Sequence, residues 1–433
     1  MRRKINHLLI KPMKKKIIAT ALVLLGWNIL SAQKETSSVP AIHSEITTPP
    51  SEKEPKKPSL KISGYIQSYM QWGMPKASLS VGSGNESSAH AFARIGVRRG
   101  RLKASYSDKM ASGVLQIDVT EKGIGLKDAY IQVKVLGNQF SWFRVGVFNR
   151  PFGHEIGYSS SLRESPERST IVQTLFPNER DLGGMIALQA PKNSEWHFLQ
   201  LNAGLVAGNG IKQAPDSRFD FVGRLSASKV EGNSMKWGIG GSFYYGGVYQ
   251  GSATVFSMTS SGFVANEISE NIGRYSKRIY AGVDGQLSFF TDWGLTQIRA
   301  EWIGGRQPGN RQSSKSPNSS TLPKEDTFVR PFQGGYLLCV QDWGTLPVAS
   351  FAKYDWYDPN TLIQGNSIGE WKNTGPADIM HQTIGMGIYY HLGPSLKLTG
   401  YYERVYQEVS SLLATYDQDR KDDRITLALQ YKF

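Results

Sequence analysis

Basic side chains alternate with apolar ones along several short stretches of the sequence. Arg144 lies between Phe143 and Val145, so an extended chain places the arginine on one face and both apolar residues on the other. Cationic groups along a water-filled surface raise the local concentration of anions. The same pattern predicts an anion path formed by Arg94, Arg98, Lys134, Arg144, Arg224, Arg299 and Lys353.

Residue types that carry out catalysis are present, but their spacing does not favour an enzyme. His154 lies a few residues before Ser159, Ser160 and Ser161, yet the sequence has no Gly-x-Ser-x-Gly and no His-Glu-x-x-His motif. The one cysteine, Cys339, excludes an internal disulfide and a cysteine-based metal cage. We therefore expect no catalysis, no cofactor and no metal site.

The elements that must position these side chains are sixteen strands with alternating faces. They are predicted at residues 60–72, 91–105, 111–121, 125–135, 140–148, 182–190, 196–206, 218–229, 235–245, 278–290, 293–304, 328–341, 346–357, 381–391, 395–406 and 423–433. Short and long connections alternate between them, apart from residues 122–124, where a long loop is due but a short one stands. This alternation indicates an all-β, 16-stranded antiparallel transmembrane barrel with long external loops. A soluble sandwich or propeller has no reason to alternate loop lengths in this way.

Composition agrees with a wide barrel and excludes a helical membrane protein. Hydrophobic residues make up 39% of the chain and the mean hydropathy is −0.35. Half of every barrel strand faces water, whereas each membrane-spanning helix needs a nearly continuous apolar run. The first 32 residues hold seven Lys/Arg and no acidic residue, so the remainder has 43 basic and 36 acidic residues, a net +7. That mild excess, without a basic stripe, does not indicate a nucleic-acid partner.

The two ends of the chain fit secretion into a bacterial outer membrane. Residues 1–32, with Met13 as an alternative start of translation, read as a basic and then apolar signal peptide that is cleaved after Ala32. Residues 33–59 are rich in Pro, Lys and Glu and predict a disordered periplasmic linker, and residues 60–433 form the barrel. The last strand ends in an aromatic signature, Tyr431 and Phe433, which we interpret as the signal read by the barrel-assembly machinery.

The barrel geometry places further expectations on two stretches. A charge on the lipid face costs roughly 2–4 kcal/mol at the midplane, so Arg99 and Arg101, which break the alternation beside Arg98, must lie near an interface or follow a bulge. Residues 149–181 lie between the fifth and sixth strands, and we expect this third loop to fold into the lumen rather than remain on the surface. Its candidate constriction residues are Arg150, Phe152, Arg163, Glu164, Arg168 and Arg180.

Several motifs, in order along the chain, resemble the phosphate-selective porin O and P family. They are Gly64-Tyr65-Ile66-Gln67, Lys127-Asp128-Ala129-Tyr130-Ile131, the segment from Phe143 to Gly153, Asp220-Phe221-Val222-Gly223-Arg224-Leu225, and Tyr354-Asp355-Trp356-Tyr357-Asp358-Pro359-Asn360. The last is similar to a stretch of Bacteroidetes-type porins. The resemblance implies a sixteen-stranded, usually trimeric, passive pore whose third loop folds inward.

The function expected from these observations is passive diffusion of small hydrophilic solutes, and a preference for anions or phosphate is a narrower expectation. The partners expected are small anions or other hydrophilic solutes, outer-membrane lipid and lipopolysaccharide, and two further copies of the chain in a homotrimer. A structural or adhesive barrel is the main alternative, and a barrel hydrolase is a weaker one. We expect general passage of small solutes rather than a preference for anions, because the third loop carries charges of both signs.

Overall fold

The computed structural model describes residues 58–135 and 137–433, so the predicted signal peptide and most of the predicted linker lie outside the described residues. The strands are β1 Ser59–Gly73, β2 Phe92–Ser107, β3 Ala111–Thr120, β4 Gly123–Val135, β5 Asn138–Asn149, β6 Arg180–Gln189, β7 Leu199–Val206, β8 Asp220–Glu231, β9 Met235–Tyr249, β10 Thr254–Thr259, β11 Gly262–Glu267, β12 Tyr275–Thr291, β13 Gly294–Gly309, β14 Thr327–Asp342, β15 Val348–Asp358, β16 His381–His391, β17 Leu396–Gln407 and β18 Arg424–Lys432.

Sixteen of these strands close an antiparallel barrel, as the sequence predicts. Each wall strand pairs with its neighbour in the wall, and β1 pairs with β18 from Tyr65↔Lys432 to Gly73↔Arg424, which completes the ring. Closure leaves no strand edge unpaired, which a sheet surrounded by lipid requires. Most predicted strand ends lie within about three residues of the observed ones, and the tight turn expected at residues 122–124 separates β3 from β4 at residues 121–122.

Short helices and one hairpin belong to the long loops. The hairpin of β10 and β11 lies outside the wall, and β10 runs parallel to the start of β14. The sixteen predicted strands do not include this hairpin, which lies within the long connection expected at residues 246–277. Helix α1 spans Thr170–Leu175, α2 spans Ser367–Glu370, and single 3₁₀ turns lie at Ser269–Asn271 and Pro376–Asp378.

No helix in the described part of the chain has the length and apolar character needed to cross a membrane.

The strand faces follow the alternation predicted from the sequence. Along β18, Ile425, Leu427, Leu429 and Tyr431 are exposed on the outer surface, whereas Thr426, Ala428 and Gln430 are buried inside. Ile95 and Ile131, on the outer face of β2 and β4, are 71% and 64% exposed. The outside of the barrel therefore presents an apolar surface to lipid, and the inside carries polar and charged groups.

Candidate functional site

The third loop, residues 150–179 (L3 below), leaves the rim after β5 and crosses the lumen before the chain enters β6. A buried ion pair joins its two ends, because Arg150 binds Asp181 at 2.7 Å and these side chains are 1% and 0% exposed. At Gly153, φ is +62°, and an added Cβ would overlap a carboxyl oxygen of Glu301 on β13. The loop thus turns directly against the far wall, which confirms the predicted infolding.

Helix α1 anchors the second part of L3 to the wall. Two carboxylates hold its start: Glu155 accepts the backbone N–H of Ser169 at 3.0 Å, and Asp355 accepts that of Thr170 at 3.1 Å. Lys353 on β15 binds Glu155 at 3.1 Å. Carboxylates favour the positive end of a helix, and here they also take up its free N–H groups.

The apolar side of L3 packs against the inner wall. Phe152, Ile156, Val172, Leu175 and Phe176 are all at most 1% exposed. Their wall partners in the same cluster extend from β5 to β15 and include Phe148, Met185, Val206, Val222, Tyr244, Tyr280, Ile303, Phe332 and Tyr357. This half of the loop, which we call the apolar half (residues 152, 156 and 171–176), fills one side of the lumen.

Residues 158–168, called the polar half, reach the opposite wall through hydrogen bonds. The Tyr65 hydroxyl contacts Ser160 Oγ at 2.7 Å, and Gln430 donates to the carbonyl of Ser161 at 3.0 Å. Lys397 donates to the carbonyl of Arg163 at 3.0 Å, and the Tyr69 hydroxyl donates to that of Pro166 at 3.1 Å. The polar half is therefore attached to β1 by several hydrogen bonds and to β17 and β18 by one side chain each, Lys397 and Gln430.

Glu167, near the end of the polar half, lies between two arginines of β2, Arg98 and Arg99. Its carboxylate binds Arg98 through a two-bond fork at 2.6 and 3.0 Å and binds Arg99 at 2.8 Å. Burial by itself raises the pKa of Glu167, but the charges of Arg99 and Arg98 outweigh it and hold that pKa below its usual range. The carboxylate is thus charged and tightly paired.

A β-bulge explains why two successive arginines both point inward. The register of β2 against β1 shifts at this point, with Gln67 opposite Arg99 and Ser68 opposite Val97, so Arg98 is the extra residue. The bulge reverses the parity of the residues after it, and Arg99 and Arg101 are 3% and 6% exposed on the inner face. Of the two explanations predicted for Arg99 and Arg101, the bulge is confirmed.

A cavity of about 290 Å³ lies between L3 and the β2–β4 wall. Its cations are Arg98, Arg99, Arg101, Lys127 and Arg168, and its carboxylates are Asp118, Glu167 and Glu179. Amide groups of Gln173, Asn178 and Asn318 complete the polar lining. The cavity stands beside the two-residue turn between β3 and β4, where the rim has no long loop.

Most residues predicted for the anion path face the lumen but are neutralised by carboxylates. Arg94 binds Glu86, Arg98 binds Glu167, Arg224 binds Asp284, Arg299 binds Glu164 and Lys353 binds Glu155. These pairs leave little uncompensated positive charge along the wall.

Arg144 and Lys134 differ, because neither has a carboxylate partner among the described residues. Arg144 stacks on the rings of Tyr130 and Trp142, 4.0 and 4.2 Å from their centroids, and donates to Gln132 at 2.6 Å. Lys134 donates to the carbonyl of Lys109 at 3.1 Å, in the short turn before β3. Neither charge is compensated by a directly bound carboxylate in the described part of the chain, so both residues remain candidates for attracting an anion.

The predicted constriction residues are buried in L3 and its ends, and ion pairs occupy most of their charges. Arg168 binds Glu179, and Arg180 binds both Glu179 and Asp128. Arg163 donates to the carbonyls of Ser165 and Pro166. Burial, together with the charges of Arg168 and Arg99, lowers the pKa of Arg163 to about 9.

Six charged residues of the cavity were not among the predicted site residues: Arg99, Arg101, Asp118, Lys127, Glu167 and Glu179. Lys127 also sits at a bulge, because Gln116 faces Asp128 and Ile117 faces Leu126. For Arg99, Arg101 and Lys127 the sequence held a signal. Each charge stands at a position that strict alternation would assign to the lipid face, and in a barrel strand this indicates a bulge.

The histidine and serines considered for catalysis do not form a catalytic arrangement. His154 stacks on Tyr158 with ring centroids 5.4 Å apart, and its Nε2 has no hydrogen-bond partner among the described residues. Burial, and to a smaller extent the nearby charge of Arg299, lower the pKa of His154 to about 4. Ser159 and Ser161 contact each other at 3.0 Å rather than a base.

No known family model and no curated protein sequence matches the chain. Solved structures match over most of it. OprB of Pseudomonas putida is 10% identical and aligns over 86% of this chain and 94% of its own, with a TM-score of 0.54. The outer membrane channel DcaP of Acinetobacter baumannii is 11% identical over 87% and 97%, with a TM-score of 0.53. The trimer form of OmpT, an outer membrane protein of Vibrio cholerae, is 8% identical over 87% and 100%, with a TM-score of 0.51.

These similarities show that the barrel has a porin fold. They do not single out the phosphate-selective family, and that resemblance stays a prediction from the sequence motifs.

Proposed function

We propose that the protein is an outer-membrane porin, a passive channel for small hydrophilic solutes, and that it is not an enzyme. The observation that supports this most is the lumen itself: an apolar-coated closed barrel whose charged interior is narrowed by L3, with a polar cavity left beside the β2–β4 wall. A porin fold with polar inward faces is the arrangement that conducts water-soluble molecules through lipid.

Location and assembly belong to the same proposal. Both ends of the barrel chain lie on the rim with short turns, which in bacterial barrels faces the periplasm. We propose a homotrimer in the outer membrane, in contact with lipopolysaccharide and inserted by the barrel-assembly machinery, after removal of residues 1–32.

Planar-bilayer recording with purified, heat-modifiable protein tests the channel. We expect discrete conductance steps in KCl, three equal closing levels if the protein is a trimer, and entry of small sugars into liposomes. A folded barrel that conducts no ions and admits no sugar under these conditions would favour the structural or adhesive alternative.

We further propose a weak anion preference that depends on Arg144. The support is the lack of a carboxylate partner for this guanidinium among the described residues, in contrast to the paired cations around it. Phosphate selectivity is only an implication of the sequence resemblance.

Replacing Arg144 with Gln should move the reversal potential in asymmetric KCl toward that of a cation channel. The shift should shrink in concentrated salt, since the Debye length falls from about 10 Å at 0.1 M to about 3 Å at 1 M. Lys192→Gln, in an exposed turn between β6 and β7, removes the same charge outside the lumen and should not change the potential. An equal response of both variants would count against a role for Arg144 in the conducting path.

A further inference from the structure

The two halves of L3 are attached to the barrel in physically different ways. Apart from Gln173, which lines the cavity, the apolar half is buried against the β5–β15 wall, and moving it would expose aromatic and aliphatic side chains to water. The polar half reaches β1, β17 and β18 by hydrogen bonds, which water or a solute can replace. If part of L3 moves, the polar half costs less to displace than the apolar half, provided that the ion pairs of Glu164 with Arg299 and of Glu167 with Arg98 and Arg99 remain compensated.

At the cavity, the polar half is attached to the wall by the carboxylate of Glu167, which binds the guanidinium groups of Arg98 and Arg99. Arg98 presents its Nε and Nη2 to the two oxygens of Glu167, the planar fork that suits a carboxylate, and Arg99 adds a third bond. The Arg98 side chain is 31% exposed, so a molecule in the cavity can reach this fork.

We propose that Glu167 occupies the binding site of a small carboxylate-bearing solute, and that such a solute opens the passage by replacing Glu167 between Arg98 and Arg99. This inference rests on the proposed channel function. An exchange of one carboxylate for another leaves both guanidinium groups paired, including the buried one of Arg99, so releasing the loop leaves neither arginine as an unpaired charge.

The surroundings suit a small solute with further polar groups. In the cavity of about 290 Å³, Arg101 and Arg168 are paired with Asp118 and Glu179, which leaves Lys127 for a second anionic group. The amides of Gln173 and Asn178 are available for hydroxyl or carbonyl groups. A short dicarboxylate therefore satisfies both the fork and Lys127. Glu164, the other carboxylate of the polar half with a cation partner, binds Arg299 on β13 and does not line this cavity.

The test uses the full-length protein in planar bilayers, with succinate as the probe and uncharged succinamide as its size-matched control. In the wild-type channel, succinate should raise the ratio of open to closed time and succinamide should not. In the Glu167→Gln variant this ratio should be high without any probe, on the order of tenfold above wild type, because a charge-assisted bond contributes about one decade to an equilibrium constant.

Glu403→Gln is the matched control variant. Glu403 on β17 is 8% exposed, close to the 10% of Glu167, and it also binds one arginine, Arg424, through two bonds. Because it lies outside L3 and the cavity, its loss should leave the response to succinate unchanged.

The outcomes separate this inference from the channel function. The carboxylate site is overturned if the wild-type channel conducts but does not respond to succinate, and if Glu167→Gln has the same ratio of open to closed time as the wild type. The proposed channel function would still stand after that result. Equal opening by succinamide also overturns it, because recognition would then not depend on charge. If the folded wild-type and variant proteins both conduct nothing with either probe, the proposed function itself fails.

Discussion

At the scale of single residues, the lumen is organised by charge pairing rather than by free charge. The buried Arg150–Asp181 pair closes the base of L3, and Arg278 binds Asp220 on the wall beside it. Most of the inward-facing cations singled out from the sequence have carboxylate partners, since an unpaired buried charge is far more costly than a paired one. Arg144 departs from this rule by stacking on aromatic rings.

Replacing Asp181 with Ala tests this interpretation. The change leaves the Arg150 guanidinium buried without its carboxylate, so unfolding free energy should fall by about 3–5 kcal/mol. Urea titration of the folded barrel in detergent measures it. Glu231→Ala breaks the solvent-exposed Lys229–Glu231 pair and should leave the titration midpoint where it is. A similar midpoint for both variants would show that the Arg150–Asp181 pair is not important for stability.

At the scale of elements, bulges and one short helix shape the site. The bulges at Arg98 and Lys127 shift the alternation of their strands, so that Arg98, Arg99, Arg101 and Lys127 all face one cavity. Helix α1 has only six residues, too few to be stable alone, so its conformation depends on the carboxylates at its start and the aromatic cluster around it.

The Phe176→Ala variant tests whether packing holds L3 in the lumen. Phe176 is 1% exposed and its ring lies 4.9 Å from that of Phe152 and 5.8 Å from that of Tyr280. Removing a buried phenylalanine typically costs about 3–5 kcal/mol, so the loop should become accessible to proteases while the barrel stays folded. Phe219→Ala, in an exposed loop, should keep the wild-type digestion pattern. An intact L3 in both variants would contradict this account of the loop.

At the scale of the whole molecule, the barrel depends on joining its first and last strands. Beyond the ladder between β1 and β18, the backbone of Phe433 exchanges two hydrogen bonds with Gly64, at 2.9 and 3.0 Å. The side chains of Tyr431 and Phe433 lie on the outer surface, 51% and 54% exposed, where they face lipid and not the lumen.

Deleting Phe433 should therefore lower the amount of folded barrel in outer membranes. The deletion removes the last backbone pair of the closure and the proposed assembly signal together. The heat-modifiable band on a gel measures the folded fraction. Phe433→Tyr keeps both an aromatic ring and the backbone pair, so it should assemble normally. An unchanged folded fraction after the deletion would argue against the assembly role, though not against the barrel.

The sequence by itself determined the barrel, its sixteen wall strands and the face of most side chains. The reason is that a strand between lipid and water must alternate apolar and polar residues, and this period of two is visible in stretches such as Phe143 to Val145 and Ile425 to Tyr431. Residues 149–181 were also recognisable as the third loop from their position and length.

Only the tertiary structure decided which charges matter. Arg98, Arg99, Arg101 and Lys127 converge because two bulges shift the register, and a bulge depends on the pairing of two strands rather than on one sequence alone. The pairing of Arg299 with Glu164 and of Arg98 with Glu167 joins residues 135 and 69 positions apart. Such contacts arise from the closed ring and the path of L3 across it, so the net field of the lumen cannot be read from the order of charges along the chain.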